Sequence, residues 1–425
     1  MTFKGTTEIG PETAAAHDPR PAAGSIAGAL LPLMAVVVVA YLVTGIAMPV
    51  LPVYVHQGLG LGTFVVGLVA GTQFAATLIS RLWAGRYSDV HGSKRAVLAG
   101  LSFAGAAGAA YLASAYFAAH PTASVTILIV GRALLGVMES FVITGALSWG
   151  VALAGPQHTG KVMSWVGTAL YTAFAVGAPL GTALYATYGF AAIGFATMLL
   201  PLATVGAVAP LRPIEPASPV RPAFRDVVRA IWVPGVALAL SGVGFAAIIT
   251  FVPLLFVDRG WGQAWIPLTA FSAAFMVARV AFGHVPDRMG GVTVALFCML
   301  IEAAGLVLIW RASGSTAALV GVTLTGLGYS LVYPGLGVEA VRLAPPQSRG
   351  VAMRTYTAFL DLSLGLASPT LGWLADAGGL SLVFLVSGIV VAGTAVMGTL
   401  AVRWGWPLRP AAESEMRASP TRARA

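Results

Sequence analysis

Twelve runs of roughly twenty apolar residues follow one another along this 425-residue chain, near 28–52, 63–84, 96–118, 124–148, 162–187, 190–210, 231–256, 265–285, 292–310, 316–341, 353–375 and 380–402. A bilayer core about 30 Å thick is crossed by about 20 residues of helix, so each run is long enough to span one. Transmembrane β-strands would show segments of about ten residues alternating in polarity, whereas these runs are continuously apolar. The sequence therefore predicts an all-α membrane protein with twelve transmembrane helices. Only 9% of the residues are charged, against about 25% in soluble proteins, too few to cover a water-facing surface. The 51 glycines and 26 prolines do not signal disorder, which needs low hydrophobicity and high charge density.

Basic residues fix the expected orientation, since they collect in cytoplasmic loops. With alternating spans and a cytoplasmic N-terminus, the external loops hold only Arg259 and Arg311, and Arg132 falls inside the fourth span. The other 21 of the 24 basic residues fall in loops, tails or helix ends on the cytoplasmic side. Both termini are thus expected in the cytoplasm of a bacterial cell, with the protein in its inner membrane. Residues 1–24 read as a polar tail without the cleavage pattern of a secretory signal, and 404–425 as a second tail. The proline- and charge-rich stretch 212–229 reads as a hydrophilic linker dividing six-helix halves at 25–211 and 230–403. Lys and Arg beside a membrane meet anionic lipid headgroups, which accounts for the net charge of +9 without a nucleic-acid partner. The single cysteine, Cys298, lies in an apolar run and reads as packing.

The halves repeat one another. Residues 81–92 (RLWAGRYSDVHG) and 279–290 (RVAFGHVPDRMG) align at an offset of 198, matching Arg81 with Arg279, Gly85 with Gly283, Asp89 with Asp287 and Gly92 with Gly290. A second offset, 190, aligns 156–163 with 346–353 and Pro179 with Pro369. Matching segments at matching places in the topology indicate two parallel halves related by an axis along the membrane normal.

With these motifs the chain resembles the major facilitator superfamily. Gly85–Arg95 (GRYSDVHGSKR) is similar to its signature between helices two and three. Gly131–Gly136 (GRALLG) resembles its fourth-helix arginine motif, and Gly177–Gly181 (GAPLG) a degenerate form of its antiporter motif, with Ala178 in place of a glycine. Tyr329–Ala340 (YSLVYPGLGVEA) resembles the sugar- and drug-efflux branch. The resemblance implies an MFS fold, two six-helix halves with pseudo-two-fold symmetry. It further implies secondary transport by alternating access, with a small molecule and protons as partners, no cofactor, and a monomer as the working unit. Proton-coupled efflux by antiport is the leading expectation, with a facilitator or symporter as the alternative.

The expected gate is the repeated turn. Gly85 and Gly92 supply backbone freedom, and Asp89 is placed to meet a neighbouring helix N-terminus or to pair with Arg95 or Arg81. Gly283, Asp287 and Gly290 form the second-half copy. Pro179 and Pro369, with their flanking glycines, are expected to let helices five and eleven bend where the halves meet.

Ionisable residues inside a membrane are costly and need a reason to be there. Five within the spans are singled out: Arg132, Glu139, Glu302, Glu339 and Asp361. Arg132 and Glu139, seven residues apart, share one helix face and are expected in the central cavity, the guanidinium suited to an anionic or polyhydroxyl substrate. Glu139 and Asp361, and after them Glu302, are the candidates for proton coupling. Glu339 is expected to meet Arg342. Among aromatic residues, Phe245, Tyr329 and Tyr333 are the leading cavity candidates, with Tyr41, Trp149, Trp165 and Tyr171 behind them. No metal site or catalytic residue is expected: the six histidines fall in tails, loops or helix ends, and no HExxH, GxSxG or phosphate-loop pattern occurs.

Overall fold

A computed structural model describes residues 23–155, 158–209, 224–344 and 348–403. Twelve of its helices are long and apolar enough to cross a membrane. They are α1 (Ala23–Ala47), α2 (Thr63–His91), α3 (Ser93–Tyr116), α4 (Pro121–Ala154), α5 (Thr159–Tyr188), α6 (Phe190–Val208), α7 (Phe224–Asp258), α8 (Trp265–Phe282), α9 (Gly291–Arg311), α10 (Ser315–Leu343), α11 (Arg349–Gly378) and α12 (Leu380–Arg403). No strand occurs among the described residues. Both expected tails, except residues 23 and 24, and positions 212–223 of the expected linker lie outside the described residues; positions 224–229 already belong to α7.

Several helices run further than their apolar runs. α2 continues to His91, so Gly85 is a helical residue rather than part of a turn. The chain reverses at Gly92 alone, whose φ of 87° is open to glycine and strained for other residues. Gly290, with φ of 89°, does the same in the second half, whereas Gly283 sits at a right-handed helix end. The turn expected from two glycines per copy therefore uses one. α1 differs too: past Ala47 it breaks around Pro49 and resumes as a short helix (Val50–Val53) and a π turn (Tyr54–Gly58).

Two large hydrophobic clusters form, beside a small third one of Ala84, Ala96 and Phe141. One is built from residues 30–208; the other runs from 227 to 395 and takes in Phe74 and Ala178. The two groups of helices meet along two seams, α2 against α11 and α5 against α8. A two-fold relating α1–α6 to α7–α12 exchanges these seams.

The α2–α11 seam is made of small residues. A Cβ on Gly67 would collide with the Ser368 carbonyl and Pro369, and one on Gly372 with the Thr63 carbonyl. A Cβ on Gly71 would lie 2.7 Å from the Gly365 carbonyl. Such backbone approach is how membrane helices gain contact without a hydrophobic driving force. Pro369 therefore stands between the halves. In α5 the flanking Gly177 and Gly181 press on Gly45 and Ile46 of α1, within one half, while Ala178 beside Pro179 joins the second-half cluster.

The seam ends, on the side away from the Gly92 and Gly290 turns, in a cap. Asp376 near the end of α11 accepts hydrogen bonds from the backbone N–H of Thr63 (2.7 Å) and Phe64 (2.9 Å) and from the Thr63 hydroxyl (2.6 Å). These are unsatisfied donors at the start of α2, and a carboxylate there also meets the positive end of the helix dipole. Loss of a side-chain cap costs about 0.5–2 kcal/mol, and the exposure of Asp376 places it at the low end. We expect Asp376→Ala to open this end more often. In a Cys298→Ala background, thiol labelling of Ser368→Cys, buried in the seam, should rise about two- to fivefold; an unchanged rate would show that the cap does not hold the seam.

Candidate transport site

Between the seams lies a cavity of about 1020 Å³, lined by residues of both halves. Its mouth is on the side of the Gly92 and Gly290 turns, where Asp89, His284, Val341 and Arg354 line it. On the other side it is closed by the α2–α11 seam and by α5–α8 contacts, including stacking of Tyr171 on Phe275 and a 3.2 Å bond from the Thr269 hydroxyl to the Ala175 carbonyl.

The central feature is an ion pair across the seam. Arg81 of α2 donates from Nε to Oδ2 of Asp361 on α11 at 2.8 Å, and its Nη2 engages the same oxygen. Both side chains are largely buried, 13% and 6% exposed. The sequence reading placed Arg81 at a helix end as a partner for Asp89. The structure assigns it elsewhere, because α2 runs ten residues beyond it before the Gly92 turn. Asp89 is half-buried at the cavity mouth and pairs with neither Arg81 nor Arg95. The Asp287 side chain lies outside the described ones.

Glu139 lines the same cavity. Its Oε2 accepts a 3.0 Å bond from Nε2 of Gln73 on α2 and a longer one, 3.5 Å, from Thr77. Arg132 shares the cavity face but does not pair with Glu139; its Nε reaches the Val69 carbonyl at 3.4 Å, and its Nη1 is buried without a partner. Tyr41 lies within electrostatic reach of Glu139, Arg81 and Asp361.

Aromatic side chains form the opposite wall. Tyr171, Phe245, Phe275, Tyr329 and Tyr333 line it, with Phe245 and Tyr329 stacked at 4.9 Å between centroids. The Tyr333 hydroxyl meets that of Thr357 at 2.8 Å. Trp149 and Trp165 do not line the cavity.

Two acidic residues stand apart. Glu302 is fully buried between α7, α9 and α10, accepting from Ser241 at 2.7 Å, and does not line the cavity. Glu339 pairs with Arg342 at 2.8 Å.

Sequence reasoning missed Arg279 and Gln73. Arg279 had been matched to Arg81 by the repeat, yet both were assigned to helix ends because each lies near the end of its apolar run. Gln73 carries no formal charge to mark it within its run.

Twelve helices in two like halves, closed on one side around a charged cavity, define a secondary transporter. The Major Facilitator Superfamily profile matches residues 33–291 and 263–422. An uncharacterized MFS-type transporter of Salmonella typhimurium is 41% identical over 362 residues, covering 85% of this chain and 92% of the relative. A Burkholderia pseudomallei MFS-type transporter is 40% identical over 364 residues, covering 85% and 89%. The chain belongs to the major facilitator superfamily. Among solved structures, a D-xylose–proton symporter superimposes with a TM-score of 0.72 at 14% identity over 90% of this chain and 98% of its own. An inward-facing bacterial homologue of the lysosomal transporter Spinster gives 0.70 at 14% identity over 91% and 99%. These likenesses establish the fold.

Removing one partner of a buried ion pair strands the other charge, while removing both spares that cost. We therefore expect Arg81→Met and Asp361→Leu each to lower thermal stability more than the double variant does. The coupling read from the double-mutant cycle should fall within about 0.5–3 kcal/mol; additivity would mean the pair contributes no coupling.

Proposed function

We propose that this transporter exports a small molecule in exchange for protons, with the Arg81–Asp361 pair as the coupling element. The side bearing the Gly92 and Gly290 turns is the cytoplasmic side of a bacterial inner membrane, a placement supported by the concentration of basic residues there. The structure is then the inward-facing state. The bodies that rock are the halves 25–211 and 230–403, and the seams are where they separate.

The observation that carries this reading is the position of the pair. It joins one half to the other where the α2–α11 seam borders the cavity, with both side chains in the cavity lining. A proton on Asp361 removes the charge that holds Arg81, so protonated and ionised forms favour different arrangements of the halves. Only a ligand with unequal affinity for two states shifts their balance, and the proton meets that condition here. Arg81, Glu139, Tyr41 and Tyr333 all act electrostatically on Asp361 or are acted on by it. Glu139, held by neutral donors on α2, is the second proton-binding candidate. Outward direction rests on the resemblance of Gly177–Gly181 and Tyr329–Ala340 to efflux members.

The test uses purified protein in liposomes loaded with a pH-sensitive dye, with substrates taken from compounds that raise its melting temperature. Protons should move against the substrate, and Asp361→Asn should reduce gradient-driven accumulation by at least about tenfold while leaving substrate exchange at equal pH. Co-directional proton movement would indicate a symporter, and no movement a facilitator. Full coupling in Asp361→Asn would move the role to Glu139.

A further inference from the structure

The repeat relates the two seams residue by residue, and the relation exposes an imbalance. Offset 198 carries Arg81 onto Arg279, and offset 190, the register in which Pro179 matches Pro369, carries Tyr171 onto Asp361. The α2–α11 seam therefore sets an arginine against an aspartate, where the α5–α8 seam sets an arginine against a tyrosine. Arg279 keeps its twin's place at the cavity but has lost the carboxylate.

The geometry around Arg279 agrees. Its Nη2 donates to the Ser330 carbonyl at 2.8 Å, and its guanidinium carbon lies 4.9 Å from the centre of the Phe275 ring. Nε is buried with no hydrogen-bond partner. Among the described residues no carboxylate pairs with it. The groups acting on it electrostatically are the tyrosines 171, 329 and 333. The described cavity lining as a whole carries four arginines (81, 132, 279 and 354) against three carboxylates (Asp89, Glu139 and Asp361), an excess of one positive charge. A guanidinium presents paired N–H donors that match a carboxylate's two oxygens. A charge held in such surroundings without a counter-ion is costly.

On the reading of this cavity as the transport site, we propose that Arg279 binds the carboxylate of an organic anion, which takes the place that Asp361 occupies in the other seam. The stacked rings of Tyr171 and Phe275 and the face of Tyr329 receive the apolar or aromatic body of that anion. Arg81 is not the binding cation, because its own partner already occupies it. A neutral sugar would leave the excess charge uncompensated, and an amine would add to it.

The experiment measures binding to purified full-length protein by calorimetry, with benzoate and phenylacetate as probes and benzamide and benzylamine as their uncharged and cationic counterparts. The carboxylates should bind and the counterparts should not. Arg279→Gln should weaken carboxylate binding by at least about tenfold, with Arg279→Lys in between. Tyr171→Asp restores the missing carboxylate and should displace the anion to a similar extent, whereas Tyr171→Phe should retain it. That second pair keeps the test informative if Arg279→Gln fails to fold. Absence of carboxylate binding, equal binding of benzamide, or full binding by Tyr171→Asp would each overturn the proposal. Carboxylate binding without proton flux in liposomes would leave this site standing and remove proton coupling. Proton-coupled flux of a neutral or cationic substrate would do the reverse.

Discussion

The contact on which this molecule turns is the ion pair between Arg81 and Asp361. A charge inside a membrane protein is tolerated when a partner or water compensates it, and here the partner belongs to the other half of the chain. The pair therefore solves a local electrostatic problem by joining the two halves of the chain. Beyond it on the closed side, α2 and α11 continue in close backbone packing through glycines up to the Asp376 cap. On the open side the halves part around the cavity. A single short contact thus marks the boundary between sealed and accessible halves of the membrane path.

The two seams reach closure by different means. α2 and α11 approach through Gly67, Gly71, Gly365 and Gly372, so their fit is set by backbone shape. α5 and α8 meet through Tyr171, Thr172, Phe275 and Met276, whose side chains fill a wider gap. One seam is rigid and charged, the other aromatic and adaptable. On the proposed reading the repeat has a coupling side and a recognition side, with Arg81 and Arg279 at like positions in unlike surroundings.

Much of this was legible in the sequence. Twelve apolar runs gave the helix count, since a continuously apolar segment satisfies its own backbone in lipid as a helix, whereas barrel strands alternate in polarity. The repeat between residues 81–92 and 279–290 gave the two-fold. Glu139 and Asp361 stood out as charges in apolar surroundings, and both line the cavity. What failed to show was depth. Apolar runs mark where lipid touches a helix, and a helix facing a cavity turns polar before it leaves the membrane. Arg81 and Arg279 were consequently read as helix-end residues, and Gly85 as a turn. Pairing was also hidden, because the 280 residues between Arg81 and Asp361 are bridged only by the packed fold. Arg132 and Glu139 share a face as their spacing requires, yet each finds other partners.

The cap at the far end of the seam depends unequally on its two helices. Two of the three donors that hold Asp376 are main-chain N–H groups of Thr63 and Phe64, and an ordinary side-chain replacement at either position leaves its N–H in place. Only proline deletes one. Replacing Thr63 therefore removes only the hydroxyl's bonds to Asp376 and the Gly372 carbonyl, whereas replacing Asp376 removes every bond of the cap. The cap thus tolerates change on α2 better than on α11, because two of its donors belong to the main chain.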